Sequence, residues 1–174
     1  MTLQDLLSIK SESVFKNACR DNLLHLGSGV GRDVYKLNDK QVIKVARCDM
    51  GYSQNASEVD TFNAYKGLGL FNEITNNAKC CLWVIQPLAT PLSNNDARFK
   101  QIVDVVEHIK YSKEYSGSDA LMNKLYDFLV ETEWKYLQDV AKPDSWGIIN
   151  GELKMIDYGM NNEAYKEYFG GINK

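Results

Sequence analysis

Short apolar runs separated by turn-forming residues dominate the first quarter of the sequence, and no other feature constrains the fold more. Three glycines at alternate positions lie within 27–31, between a strand-like run at 23–26 and a second at 33–37. The turn signal at 38–40 (Asn-Asp-Lys) is followed by the run QVIKVA at 41–46. Such runs indicate strands, and strands adjacent in sequence usually pair. The pattern therefore predicts an antiparallel three-stranded meander.

The rest of the chain mixes helical and strand patterns. Apolar residues at helical spacing predict helices, whereas a continuous apolar run ended by prolines predicts a buried strand. An Asn-Gly pair at 150–151 predicts a tight hairpin. The predicted elements are helices at 2–20, 56–68, 97–110 and 118–138, a strand at 79–89, loops at 48–55 and 142–147, a hairpin within 147–159, and a short helix and tail within 160–174. Strands first and helices later indicate an α+β fold.

Composition excludes several classes of function. The 174 residues carry a formal charge of −3, which does not favour non-specific binding of nucleic acid. None of the four cysteines forms a Cys-x-x-Cys pair, so we expect no zinc site, and Cys80-Cys81 lies in an apolar run that predicts buried, reduced thiols. No apolar stretch approaches a membrane span of about 18 residues and no signal-peptide pattern begins the chain. We therefore expect a cytoplasmic protein without membrane contact.

The glycine loop and one lysine are the first candidates for chemistry. Closely spaced glycines allow backbone amides to approach phosphate oxygens, although glycine-rich turns are also common in proteins that bind no nucleotide. A strand pattern follows the loop, instead of the helix of a dinucleotide fold. Lys44 lies in an apolar strand, where it either extends to solvent or binds phosphate with the support of a carboxylate. Glu58 is such a carboxylate, but a lone helical glutamate is usually solvated.

Together these segments resemble the protein-kinase-like family. LGSGVGRDVY (26–35) resembles its glycine-rich loop, VIKVA (42–46) resembles its third strand, and Glu58 is placed like its helix glutamate. WVIQPLA (83–89) resembles the strand that leads to the adenine-binding hinge. The residues that this resemblance assigns to ATP are Gly27, Gly29, Gly31, Arg32, Lys44, Glu58, Gln86 and Leu88.

Two later segments extend the resemblance. LKMIDYG (153–159) resembles the metal-binding Asp-Phe-Gly segment, with Asp157 as the Mg²⁺ ligand. LQDVAKPDSWGII (137–149) resembles a degenerate catalytic loop, in which Asp139 orients or deprotonates the acceptor hydroxyl. Lys142 then helps to neutralise the transferred phosphate, although a plain turn explains its segment equally well. The spacing leaves two registers open for the second metal ligand, Asp144 or Ser145.

The resemblance runs from about Leu24 to Gly159 and implies a minimal kinase-like fold. It divides a single domain of residues 1–174 into an N-terminal antiparallel sheet with one helix, at about 1–88, and a reduced helical lobe, at about 89–174. ATP and Mg²⁺ are expected between the two lobes. In detail the chain is similar to compact kinase-like proteins encoded by bacteriophages, which implies the host cytoplasm as its location.

Several departures from the family pattern concern catalysis. Arg32 replaces the third glycine of the loop, and Leu137-Gln138 stand where the family has His-Arg. Only 15 residues follow Gly159, so we expect no complete activation segment and no helices for binding a protein substrate.

Three functions are compatible with these observations. The first is ATP- and Mg²⁺-dependent transfer of a phosphoryl group to a hydroxyl acceptor, on a protein substrate. The second is a catalytically inactive kinase-like module, or pseudokinase, that binds and modulates a host protein. The third, nucleotidyl transfer, is supported by the shared fold alone. We expect no nucleic-acid partner for any of them.

Overall fold

The chain divides into two compact units. The structure, a computed structural model, describes residues 1–111 and 114–159. The first unit comprises residues 1–59 and 73–88, and the second comprises residues 60–72 together with the chain from residue 89 onward. An antiparallel sheet dominates the first unit, and helices with a small sheet form the second, which confirms the α+β class. The helix and tail predicted within 160–174 lie outside the described residues.

The first unit is built on a five-stranded antiparallel sheet, which contains the predicted meander. The strand order is β1-β2-β3-β5-β4. The meander pairs β1 with β2 and β2 with β3, because a two-residue turn and the short glycine loop keep these segments adjacent. The strands are β1 (Leu24–Ser28), β2 (Arg32–Asn38), β3 (Gln41–Ala46), β4 (Asn76–Asn77) and β5 (Trp83–Pro87).

Two helices precede this sheet where the sequence predicts one. The prediction of a single helix at 2–20 is wrong, because α1 (Leu3–Leu7) ends before α2 (Glu12–Asn22) begins. Thr2 and Asp5 form a reciprocal capping box that starts α1. These helices share a core with the sheet, and the buried members of this core are Leu6, Phe15, Cys19, Tyr35, Ile43, Val45, Ala46, Leu82 and Ile85.

The next helix, α3 (Asp49–Tyr65), begins earlier than the sequence predicts. The segment 48–55, predicted as a loop, is almost entirely helical because the Cys48 carbonyl accepts the amides of Gly51 and Tyr52 and so starts the first turn. The sequence pattern did not predict a helix here because Gly51 lies in this turn, and glycine is less favourable than alanine in a helix by about 1 kcal/mol. A glycine is required there: a Cβ on Gly51 would lie 2.1 Å from the carbonyl oxygen of Gly31.

Strand β5 is shorter than the predicted run at 79–89. Residues 79–80 form a turn, and Cys81 has a positive φ of 58°. Cys80 is exposed and Cys81 is half-buried, so the prediction of two buried thiols at this pair is wrong. Apolar residues continue through the turn without forming a strand, and periodicity alone does not distinguish an apolar turn from an apolar strand.

The second unit combines helices with a three-stranded antiparallel sheet of order β6-β7-β8. The helix at 97–110 and the hairpin around Asn150-Gly151 are confirmed. The helix predicted at 118–138 is interrupted, because Glu133 and Trp134 adopt positive φ angles of 51° and 63°. The elements are α4 (Ala97–Lys110), α5 (Ala120–Glu131), α6 (Leu137–Val140), β6 (Thr90–Pro91), β7 (Trp146–Ile149) and β8 (Glu152–Met155).

The second unit has its own apolar core, in which Phe71, Phe128 and Tyr158 pack through ring contacts. Across residues 1–111 and 114–159, none of the helices has the length and apolar character needed to cross a bilayer.

Candidate functional site

The candidate site of the first unit is centred on a fully buried carboxylate, that of Glu58 in α3. Its Oε1 accepts a hydrogen bond from Lys44 Nζ at 2.7 Å and another from Arg32 Nη2 at 3.0 Å. Its Oε2 accepts from Gln86 Nε2 at 3.2 Å. Four of the residues that the sequence assigns to ATP are therefore in one hydrogen-bonded network.

Strand register explains how residues distant in sequence reach one carboxylate. Directly paired residues in an antiparallel sheet project to the same face, and alternate residues along a strand share that face. Arg32 pairs with Ala46 and Gln86 pairs with Val42, so both project with Lys44 to one face of β3. Helix α3 supplies Glu58 to that face.

The network is buried to an unusual degree for charged groups. Only 4% of Arg32 and 6% of Lys44 is exposed, and Glu58 is inaccessible. Burying a charge is costly unless opposite charges and hydrogen bonds compensate it. Here both oxygens of Glu58 have donors, and one cation reaches a further acceptor because Arg32 Nη1 donates to Asn55 Oδ1 at 3.2 Å. The interpretation of Glu58 as an ordinary solvated helix residue does not hold.

The three glycines of the loop have different surroundings. Within the described residues, no atom lies within 4 Å of a Cβ built on Gly27, and one on Gly29 approaches only the Arg32 carbonyl, at 3.9 Å. Neither glycine has a positive φ. By contrast, a Cβ on Gly31 would lie 2.7 Å from the amide nitrogen of Gly51. Gly31 is thus required by packing against α3. Gly27 and Gly29 leave space where a side chain would stand, but Gly27 pairs with Val34 in the sheet and the Gly29 amide donates to the Arg32 carbonyl at 2.8 Å.

The segment predicted to bind adenine includes Gln86 and Leu88. Gln86 lies in β5 with its side chain on Glu58, so a backbone role for it is compatible with its side-chain contact. The Leu88 amide donates to the Lys40 carbonyl at 2.8 Å. The Leu88 amide is therefore already paired within the first unit.

The second unit contains the predicted acceptor-binding pair. Asp139 lies in α6, is 3% exposed and accepts a hydrogen bond from Lys142 Nζ at 3.1 Å. The two residues are also joined through the backbone, because the Lys142 amide donates to the Asp139 carbonyl. Trp146 fixes the end of this loop, since its buried indole Nε1 donates to the Val140 carbonyl at 2.9 Å.

The predicted metal ligands are adjacent in the same unit. The β7–β8 hairpin places the chain beyond Met155 next to Ser145, whose carbonyl accepts the amides of Ile156 at 2.7 Å and Asp157 at 3.2 Å. Asp157 and Asp144 are exposed, and Ser145 is buried. These oxygen donors fit a hard cation such as Mg²⁺, which proteins often hold through one or two carboxylates. Among the described residues, no group of three or more His, Cys, Asp and Glu side chains converges as a metal site.

Sequence reasoning missed two structural supports of this region. Tyr158 is fully buried, and its hydroxyl donates to the Asn72 carbonyl at 2.7 Å. Trp146 received no role from its sequence position. A tryptophan and a tyrosine at the two ends of a predicted hairpin are a usable signal, because both residues combine a large apolar area with a hydrogen-bond donor.

Comparisons with known proteins give structural neighbours only. No family model matches the chain, and no curated protein matches it in sequence. SAICAR synthase from Saccharomyces cerevisiae is 12% identical, with a TM-score of 0.39 over 78% of this chain and 73% of the other. The ternary complex of streptomycin, ATP and APH(2″)-IIa is 12% identical, with a TM-score of 0.45 over 87% and 71%. Choline kinase from Cryptosporidium parvum is 12% identical, with a TM-score of 0.39 over 87% and 65%. We base the function on the contacts of the site itself.

Proposed function

We propose that the chain is a kinase-like phosphotransferase that binds ATP with Mg²⁺ and transfers the γ-phosphoryl group to a hydroxyl acceptor. The observation that carries the proposal is the buried Lys44–Glu58 pair, 2.7 Å apart, in the same unit as the glycine loop. A lysine held by a carboxylate is a fixed positive charge, and this charge neutralises phosphate oxygens. The bound metal would supply further neutralisation of the phosphates.

Each residue has a defined part in this proposal. Gly27 and Gly29 allow phosphate oxygens a close approach because neither residue has a side chain, and Lys44 neutralises the phosphate while Glu58 holds the ammonium. Asp157, with Asp144 or Ser145, holds Mg²⁺. Asp139 orients the acceptor hydroxyl, and Lys142 fixes that carboxylate from one side. Catalysis then consists of positioning and charge neutralisation, without a covalent intermediate.

The first test measures ATP binding by calorimetry in the presence of Mg²⁺. Lys44→Met should weaken binding about 10- to 100-fold, because a hydrogen bond to a charged group contributes about 1.5–3 kcal/mol. Lys36→Met is the matched control, since Lys36 lies in the neighbouring strand and pairs with Asp39 at the surface. A folded wild-type sample that binds no ATP at millimolar concentration contradicts the proposal.

The second test identifies the transferred group. With γ-labelled ATP we expect incorporation of label that Asp157→Ala abolishes. Incorporation from α-labelled ATP would instead establish nucleotidyl transfer. The hydroxyl acceptor is part of the proposed phosphoryl transfer, and a protein substrate remains a prediction from the resemblance.

One observation favours a second function, that of an inactive module that binds a partner protein. Arg32 stands where the family has glycine, and the residue is 4% exposed with its guanidinium directed to Glu58. A module of this kind would be folded, would not bind ATP, and would retain a host-protein partner in Lys44→Met. The bacteriophage origin and the cytoplasmic location also stay predictions.

A further inference from the structure

The guanidinium of Arg32 holds helix α3 at two points. Nη2 donates to Glu58 Oε1 at 3.0 Å and Nη1 donates to Asn55 Oδ1 at 3.2 Å. Asn55 and Glu58 are three residues apart, so they lie on one face of the helix, one turn from each other. Asn55 is itself oriented, because its Nδ2 donates to the Cys81 carbonyl at 2.8 Å.

The loop that precedes Arg32 is in close contact with the same helix. The Gly31 carbonyl accepts the Arg47 amide at 2.7 Å. A Cβ on Gly31 would lie 2.6 Å from Gln54 Oε1 and 2.7 Å from the Gly51 amide nitrogen. The absence of a side chain at 31 and 51 therefore lets the end of the loop rest on the first turns of α3.

Arginine and lysine constrain a carboxylate differently. The guanidinium is a planar, rigid fork with several donors, whereas an ammonium is a point charge on a flexible stem. Lys44 contacts Glu58 Oε1 through its single ammonium nitrogen, and a point charge of this kind does not define the angle of the carboxylate around that contact. Arg32 binds the same oxygen and the neighbouring side chain of α3, so it fixes both the helix face and the carboxylate.

We propose that Arg32 is the positioning residue for Glu58, and that it couples the β1–β2 loop to the Lys44–Glu58 pair. The pair is then assembled in the ligand-free chain, and any shift of the loop at Gly31 is transmitted to Glu58 through one side chain. The importance of this coupling for phosphoryl transfer rests on the proposed function, but the coupling itself does not.

The test measures Lys44 in the ligand-free protein, so it does not depend on ATP. Lysine labelled with ¹³C at the ε position is titrated by NMR, and the Lys44 signal is assigned by its loss in Lys44→Arg. The quantity measured is the pH at the midpoint of the Lys44 titration. If Arg32 were only a neighbouring charge, Arg32→Met would raise this midpoint, because one repelling cation is removed. If Arg32 positions Glu58, the midpoint should fall, because the carboxylate is no longer held against the ammonium.

Two further variants keep the result interpretable. Arg32→Lys retains the charge without the fork, so we expect a smaller fall than in Arg32→Met. Arg47→Met removes an exposed arginine of the same unit, whose Nε lies 3.7 Å from Asp33 Oδ1, and should leave the titration midpoint of Lys44 unchanged. All variants are first checked for folded amide spectra, and a variant that unfolds is replaced by Asn55→Ala, which should lower the midpoint by releasing the other anchor of the fork.

A rise in the Lys44 midpoint, or no change in folded Arg32→Met, would overturn the inference. ATP affinity provides the separate readout of function. If the wild-type protein binds no ATP, but the Lys44 midpoint falls in Arg32→Met, the coupling is supported and the proposed phosphotransferase activity is contradicted. If Arg32→Met and wild type bind ATP equally and have the same Lys44 midpoint, only the coupling is contradicted.

Discussion

Replacing Glu58 by glutamine is the most informative single change in the first unit. The amide has nearly the shape of the carboxylate, so the packing around α3 is preserved. The change removes the negative charge that Arg32 and Lys44 both contact, at 3.0 and 2.7 Å, within a site where Glu58 is fully buried. An amide nitrogen also replaces one acceptor oxygen.

The expected cost follows from this burial. Breaking a buried ion pair by removal of one partner destabilises a protein by about 3–5 kcal/mol. Lys44→Met should cost less, because Glu58 keeps its contacts with Arg32 and Gln86. Since the total stability of a domain is about 5–15 kcal/mol, Glu58→Gln removes a large part of it. With a urea slope of about 1–3 kcal/mol per M, the unfolding midpoint should fall by about 1–5 M.

Urea unfolding followed by far-ultraviolet circular dichroism measures this difference. The control is Glu12→Gln, because it makes the same chemical change at a carboxylate that is about half exposed beside Lys16. That control should change stability by about 1 kcal/mol or less. If Glu58→Gln unfolds within 1 kcal/mol of wild type, or if Lys44→Met costs as much as Glu58→Gln, the carboxylate is not the centre of the network.

Three further predictions concern packing and thiol chemistry. Gly31→Ala should destabilise the first unit more than Gly27→Ala in thermal unfolding, because only at Gly31 would the added methyl meet backbone, and equal losses would contradict this. Trp146→Phe should cost about 1–2 kcal/mol in urea, because it leaves the buried Val140 carbonyl without its indole donor, and it should slow any phosphoryl transfer that depends on this loop. In native protein Cys80 should react with iodoacetamide before Cys19, because Cys80 is exposed, whereas burial raises the pKa of Cys19 to about 11 and suppresses its thiolate at neutral pH; mass spectrometry of the alkylated peptides decides the order.

The sequence predicted the elements whose local signals are strong. The strands of the meander and the hairpin at Asn150-Gly151 combine apolar runs with a recognised turn, and the helix at 97–110 has a clear helical periodicity. The start of α3 was not predictable, because Gly51 and several polar residues give a loop-like composition. Its helical state depends on tertiary contact with Gly31, which no local pattern contains.

The candidate site shows the same division. The approach of Lys44 to Glu58 was predictable from the resemblance, and the strand register accounts for it physically. The direction of the Arg32 side chain was not predictable from the sequence. An arginine next to a loop has several accessible acceptors, and which of them it contacts depends on the position of α3. Gln86 was predicted for its backbone, whereas its side chain supplies the contact with Glu58.

The side-chain alternation along β2 and β3 has a consequence for changes in chain length. An insertion or deletion of one residue within β2 would move Arg32 from the face shared with Lys44 to the face that packs against α2. At the loop tip, the exposed Val30 lies beyond the hydrogen bond from the Gly29 amide to the Arg32 carbonyl, so residues added after Val30 leave the β1–β2 register unchanged. Loop length is therefore expected to vary among related chains at position 30, while the spacing from Arg32 to Lys44 is expected to be fixed.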